Sequence, residues 1–128
     1  MCRCRLPRGF DVLRIWRATI NSRNGLAFAV RSEQAVREEI GALILSLPLA
    51  FVIGATAMRV IELVCAVALV LVVELLNTAI EKLADRLTTE HDLQIGRVKD
   101  LGSAAVGVAL LMSGTFWLFA LAERVGVL

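Results

Sequence analysis

Apolar residues fill three stretches of this chain, and the polar residues inside them are few and regularly placed. The first stretch, IGALILSLPLAFVIGATAM (40–58), is free of charge. The second starts at Val60, carries Glu62 at its mouth and Glu74 at depth, and reaches Glu81. The third, LGSAAVGVALLMSGTFWLFALA (101–122), is again uncharged. A helix needs roughly 20 residues to cross about 30 Å of hydrocarbon. The pattern therefore predicts three transmembrane helices, over 40–58, 60–81 and 101–122. Pro48 is expected to kink the first, which a membrane helix tolerates where neighbours satisfy the freed carbonyl.

Ahead of these stretches the pattern turns amphipathic. Phe10, Leu13, Trp16 and Ile20 share a helical spacing, while Arg14, Arg17 and Arg23 occupy other faces. That spacing predicts a short helix lying on the membrane surface, with Trp16 at headgroup level. Asn24-Gly25 signals a break. A second helical segment, LAFAVRSEQAVREE (26–39), then leads into the first span; its charges, taken alone, read as a solvated face. The expected fold class is an all-α membrane protein, with residues 1–128 forming a single integral-membrane domain. Residues 1–39 form its cytoplasmic surface-helix region and residues 82–100 a cytoplasmic loop.

Composition supports this reading. With 58 % hydrophobic residues and a mean hydropathy of +0.74, the chain is too apolar for an ordinary soluble domain, and 128 residues leave room for one domain only. The net charge of +2 hides an asymmetry. Arg3, Arg5, Arg8, Arg14, Arg17, Arg23, Arg31 and Arg37 precede the first span, and Lys82, Arg86, Arg97 and Lys99 lie between the second and third. The first loop offers Arg59 and the C-terminus Arg124. The positive-inside rule places the N-terminus and the second loop in the cytoplasm. Membrane topology accounts for the arginines, so no nucleic-acid partner is expected. Nothing resembles a cleavable signal peptide. Cys2, Cys4 and Cys65 form neither a disulfide framework nor a zinc spacing, and Cys65 reads as core. Trp16 and Trp117 read as interfacial anchors. Small residues at Ser103/Gly107 and Ala105/Ala109 have the spacing of close helix contacts.

Candidate chemistry lies in the second span. Glu74, Asn77, Glu81 and Asp85 stack on one face of a helix. A carboxylate at membrane depth costs several kcal/mol unless it has a partner or faces water, which makes it a functional residue by default. A monomer of three short helices is expected to leave Glu74 facing lipid, so the chain is expected to oligomerise. Glu90, His91, Asp92, Lys99 and Asp100 add polar groups at the cytoplasmic water line, and Glu33 is a further carboxylate there. Two or three carboxylates with a lysine suit Mg²⁺-assisted phosphoryl transfer. The hard cation takes oxygen ligands, lysine neutralises phosphate, and a further carboxylate accepts the proton of the attacking hydroxyl. Glu74, the deepest, suits the base, and a lipid hydroxyl would reach it. No Walker-type GxxxxGK[ST] or kinase glycine loop is present. His91 reads as a solvated residue with no zinc, and Asp85 as a structural partner of Arg86 or Lys82.

The segments VELLNTAIEKLADR (73–86), EHD (90–92) and GRVKDLGSAAV (96–106) closely resemble the prokaryotic diacylglycerol kinase family, and the resemblance extends from about Arg14 to the end of the third span. It implies a homotrimer in the bacterial inner membrane, with three spans and a surface helix per subunit and composite sites between subunits. It implies MgATP-dependent phosphorylation of a lipid alcohol, and the leading reading is diacylglycerol converted to phosphatidic acid. Matched position by position, Glu74 falls on the catalytic base and Asn77 on an active-site amide near the γ-phosphate. Glu33 and Glu81 fall on the Mg²⁺-holding carboxylates. Lys99 and Asp100 fall on nucleotide-site residues, and Glu90, His91 and Asp92 on the loop at the adenosine end. Arg14 falls near nucleotide and lipid headgroup, and Glu39 and Ser103 on the lipid groove. Asn21 occupies a nucleotide-side position where relatives commonly carry an aromatic. Ser32 before Glu33, and Glu38 in place of a common Gln, also depart from the family pattern.

Two other readings share these residues. An undecaprenol kinase of the same fold would use the same stripe on a different lipid alcohol. A small proton- or cation-conducting membrane oligomer would use Glu74 and Glu81 without needing Lys99 and Asp100. A non-catalytic scaffold would tolerate Glu74→Gln.

Overall fold

The computed structural model describes residues 12–87 and 92–127, and every regular element among them is a helix. Helix α1 spans Val12–Ser32, α2 Gln34–Ile53, α3 Ala57–Leu87 and α4 Leu93–Arg124. The described residues fall into two compact units, one ending at Ser32 and one beginning at Glu33.

In the first unit, α1 runs unbroken through Asn24-Gly25, so the expected break is absent there. Asn-Gly makes a turn when the backbone takes positive φ, and Gly25 does not. Inside a helix a glycine costs only about 1 kcal/mol relative to alanine, which the surrounding turns absorb. The helix ends instead where Glu33 turns extended, at φ −122° and ψ 125°. Trp16 and Ile20 are exposed along α1, as suits a stripe that meets lipid.

In the second unit, α2 opens with Arg37, Glu38 and Glu39 close behind its first turn. Its apolar part, residues 40–53, spans about 21 Å at 1.5 Å per residue. Pro48 lies inside it and the helix continues past. The chain then turns a tight corner at Gly54, whose N–H donates to the Ala50 carbonyl at 2.8 Å. A Cβ at Gly54 would sit 2.7 Å from both that carbonyl and Val60 Cγ2. Thr56 Oγ1 accepts from the Arg59 N–H at 3.2 Å, which caps the start of α3. The stretch 40–58, expected as one helix, is therefore divided: α2 ends at Ile53 and Ala57 opens α3.

Helix α3 is the centre of the bundle and packs against both α2 and α4. Both α3 and α4 are long and apolar enough to cross a membrane. Gly102, Ala109, Ser113 and Ala120 form the buried edge of α4. This is a different register from the expected one: Ser103, Ala105 and Gly107 are exposed, and only Ala109 of the anticipated pairs is buried. Small side chains on this edge let the α4 backbone come close to its neighbour.

At the Gly54 end, Ala50, Leu63 and Ala120 form a buried core, flanked by Ile53, Val60, Val64 and Trp117. Trp117 donates from Nε1 to the Leu63 carbonyl at 3.3 Å, so it docks α4 on α3 rather than standing free as an anchor. Arg59 joins Glu62 at 2.7 Å and Glu123 at 2.6 Å, clasping the start of α3 to the end of α4. Cys65, expected in the core, is exposed on α3. Ile44, Phe51, Leu76 and Leu111 are also exposed, leaving the bundle apolar on its outside.

Candidate active site

Away from the Gly54 corner, the buried edge of α3 becomes polar. Glu74, Asn77 and Thr78 are buried there, with Glu74 9 % and Asn77 8 % exposed, and Glu81 is half-buried one turn further on. The helical period puts these groups on one side of α3. A single chain already buries Glu74, so the expectation that a monomer would leave it facing lipid is overturned.

Asn77 donates from Nδ2 to Glu81 Oε1 at 3.2 Å. That bond orients the carboxamide, because a carboxylate accepts only from the amide nitrogen. The other end of the carboxamide, Oδ1, is buried without a hydrogen-bond partner. It faces Gly102 of α4.

Glu33 and Glu39, at the start of the second unit, are the next carboxylates in electrostatic reach of Glu74 after Glu81. Like charges gathered in an apolar setting need a counter-ion. Lys82, next in sequence to Glu81, supplies one: its Nζ lies 2.5 Å from Glu33 Oε1. Burial, then the neighbouring Glu38, pushes the Glu39 carboxyl above the ordinary range. Glu38 itself accepts from Gln34 Nε2 at 2.7 Å.

A second ion pair lies beyond the apolar span. Lys99 of α4 reaches Asp85 of α3, Nζ to Oδ1, at 2.5 Å. The hydrogen bond and charge of Lys99 hold the Asp85 carboxyl below its usual range. Sequence reasoning gave Asp85 to Arg86 or Lys82. The helical period shows only neighbours on the same helix, and the Lys99 contact crosses between helices.

Asp92 has a structural role that sequence reasoning did not assign. It caps α4, its Oδ1 accepting from the Gln94 N–H at 2.7 Å and the Ile95 N–H at 3.1 Å. An Asp just before a long apolar helix was the available signal. Glu90 and His91 lie outside the described residues. Asp100 is exposed on α4 and, with Arg97, Leu101 and Ala104, lines an open hollow of about 440 Å³. Ser103 is exposed beside it. Arg14 and Asn21 are exposed on α1, in the other unit.

The donor chemistry fits a hard divalent cation bound with phosphate. Glu33 and Glu81 offer carboxylate oxygens, and an ammonium already stands against Glu33. Among the described residues no three acidic, His or Cys side chains close a cage of their own. Magnesium commonly takes one or two carboxylates and completes its shell with phosphate and water.

Residues 20–121 match the profile of the prokaryotic diacylglycerol kinase family. A diacylglycerol kinase of Haemophilus influenzae is 40 % identical over 100 residues, covering 78 % of this chain and 85 % of the relative. That of Escherichia coli is 37 % identical over 113 residues, covering 88 % and 93 %. That of Pseudomonas aeruginosa is 36 % identical over 104 residues, covering 81 % and 85 %.

Proposed function

The chain belongs to the prokaryotic diacylglycerol kinase family, and on that premise we propose that it moves the γ-phosphoryl group of ATP to the hydroxyl of diacylglycerol, yielding phosphatidic acid and ADP. The observation that carries this reading is the polar edge of α3. A buried carboxylate, Glu74, lies deep in an apolar helix, with Asn77 and Glu81 ahead of it toward the charged end.

The bond to the γ-phosphorus forms from the lipid hydroxyl oxygen as the bond to the β,γ-bridging oxygen breaks. Glu74 accepts the hydroxyl proton. A lipid alcohol reaches it from the hydrocarbon side, and ATP approaches from water. Asn77, held by Glu81, presents its amide beside the transferring group. Glu33 and Glu81 are the residues that would hold Mg²⁺. The ion would supply positive charge against that developing on the phosphate oxygens. Lys99, steadied by Asp85, adds a fixed positive charge toward phosphate. Asp100, Arg14, Asn21, Glu90, His91 and Asp92 complete the nucleotide side in this reading. Arg14, Glu39 and Ser103 meet the lipid.

The same reading takes the protein as a homotrimer in the bacterial inner membrane, with α2, α3 and α4 as its spans and the N-terminus in the cytoplasm. The short apolar part of α2 suits a span whose charged opening turns sit among headgroups. The test is ATP-dependent phosphate transfer by detergent-purified protein, with diacylglycerol and undecaprenol offered side by side in the presence of Mg²⁺. Transfer to diacylglycerol alone is expected. Transfer chiefly to undecaprenol would keep the chemistry and change the substrate, and transfer to neither would end the kinase reading.

A further inference from the structure

The geometry points to Gly102 as a positioning residue of the site: its missing side chain is the seat of the Asn77 carboxamide oxygen. A Cβ built on Gly102 would overlap Asn77 Oδ1, and it would come within 3.3 Å of Asn77 Cγ. Gly102 is itself buried, on the edge of α4 that meets α3. The carboxamide has little freedom to retreat. Its nitrogen is tied to Glu81 at 3.2 Å, and Asn77 is 8 % exposed.

Two observations meet at this contact. Asn77 Oδ1 is buried with no hydrogen-bond partner, and an oxygen left that way is tolerated only where neighbours cost it little. The glycine Cα–H bonds are weak donors that can face it, and no larger residue could bring them as close. An alanine at this position leaves the chain two responses. The carboxamide can rotate, which breaks the bond to Glu81. Otherwise α4 backs away from α3, which moves Lys99 relative to Asn77. The first response disturbs the alignment of Asn77 with Glu81, and the second its alignment with Lys99. Gly107 on the same helix differs, because a Cβ there meets nothing within 4 Å.

This inference rests on the proposed role of Asn77, and the experiment separates the two. Gly102→Ala, Gly107→Ala, Asn77→Ala and the Gly102→Ala/Asn77→Ala double variant are purified in detergent. For each, kcat, the KM for ATP and thermal stability are measured, together with the Asn77 side-chain amide signals by ¹⁵N NMR in micelles where Asn77 is present. In Gly102→Ala, kcat is expected to fall at least about tenfold with KM for ATP largely kept, since sub-ångström misplacement acts on the transition state. The Asn77 amide signals shift, and the double variant is no slower than Asn77→Ala alone. Gly107→Ala matches the parent. Unmoved Asn77 signals in Gly102→Ala, or a double variant whose loss is the product of the two single losses, would overturn the inference. Shifted signals with full turnover in both Gly102→Ala and Asn77→Ala would overturn the role of Asn77 instead, and the positioning role with it. If Gly102→Ala fails to assemble, the Gly102→Ala/Asn77→Ala double variant, which removes the overlapping oxygen, is expected to assemble; its failure to do so would overturn the inference.

Discussion

Lys99 Nζ lies 2.5 Å from Asp85 Oδ1, and this pair joins α4 to α3 just beyond the apolar span. Asp85 is the more open partner, its side chain 60 % exposed against 41 % for Lys99. Exposed pairs add little to stability, so the pair matters chiefly for where the lysine points. Asp85→Ala is expected to leave the melting temperature within a few degrees of the parent and to raise the KM for ATP several-fold. Steady-state kinetics beside thermal unfolding in the same detergent check both.

The same pair sets a pH dependence. The folded carboxyl of Asp85 lies below its ordinary value because of Lys99. Its contribution is therefore complete above the ordinary Asp value and is lost as pH falls through the lowered one. The KM for ATP is expected to stay flat from neutral pH down into the weakly acidic range with respect to this pair. A rise in KM centred near neutral pH that disappears in Asp85→Asn would contradict this.

Glu74→Gln keeps shape and burial but removes the proton acceptor. Assembly is expected to be intact and kcat to fall by about two to four orders of magnitude, the usual range for a lost general base. Size-exclusion chromatography and a coupled kinase assay read the two effects separately. Full turnover in a properly assembled variant would dismiss Glu74 as the base.

Glu33→Ala and Glu81→Ala are each expected to raise the Mg²⁺ concentration needed for half-maximal rate. Glu33→Ala also leaves Lys82 without its carboxylate, and Glu81→Ala removes the acceptor that orients Asn77. Glu81→Ala should therefore lower kcat even at saturating Mg²⁺, and Glu33→Ala less so. A Mg²⁺ titration of turnover for each variant decides it, and unchanged metal dependence in both would remove their assigned role.

Gly54→Ala forces a methyl group against the Ala50 carbonyl and Val60, both 2.7 Å away. The carbonyl belongs to the backbone and cannot swing aside. A loss of about 1–3 kcal/mol is expected, as for other overpacked sites, with activity per folded protein unchanged at temperatures below unfolding. Denaturant titration in mixed micelles measures it.

Helical periodicity is a local property, and it was legible in the sequence. The stacking of Glu74, Asn77 and Glu81 needs only 3.6 residues per turn. The apolar character of 40–58, 60–81 and 101–122 needs only composition, though not the corner at Gly54 that divides the first, and the motifs around Glu74 and Lys99 sufficed to indicate the family. Local signals were less reliable at the ends of helices. Asn24-Gly25 can make a turn but stays helical, and the break falls at Glu33, whose own side chain makes no cap.

Contacts between helices were settled by tertiary structure alone. Sequence spacing cannot say how α4 is rotated against α3, so it chose Ser103/Gly107 where packing uses Gly102, Ala109, Ser113 and Ala120. The same rotation places Gly102 against Asn77 and Lys99 against Asp85. Glu74 is buried within one chain, where three short helices were expected to leave it facing lipid. Periodicity fixes the face of a single helix, but its partner is chosen by which small residues let two backbones approach.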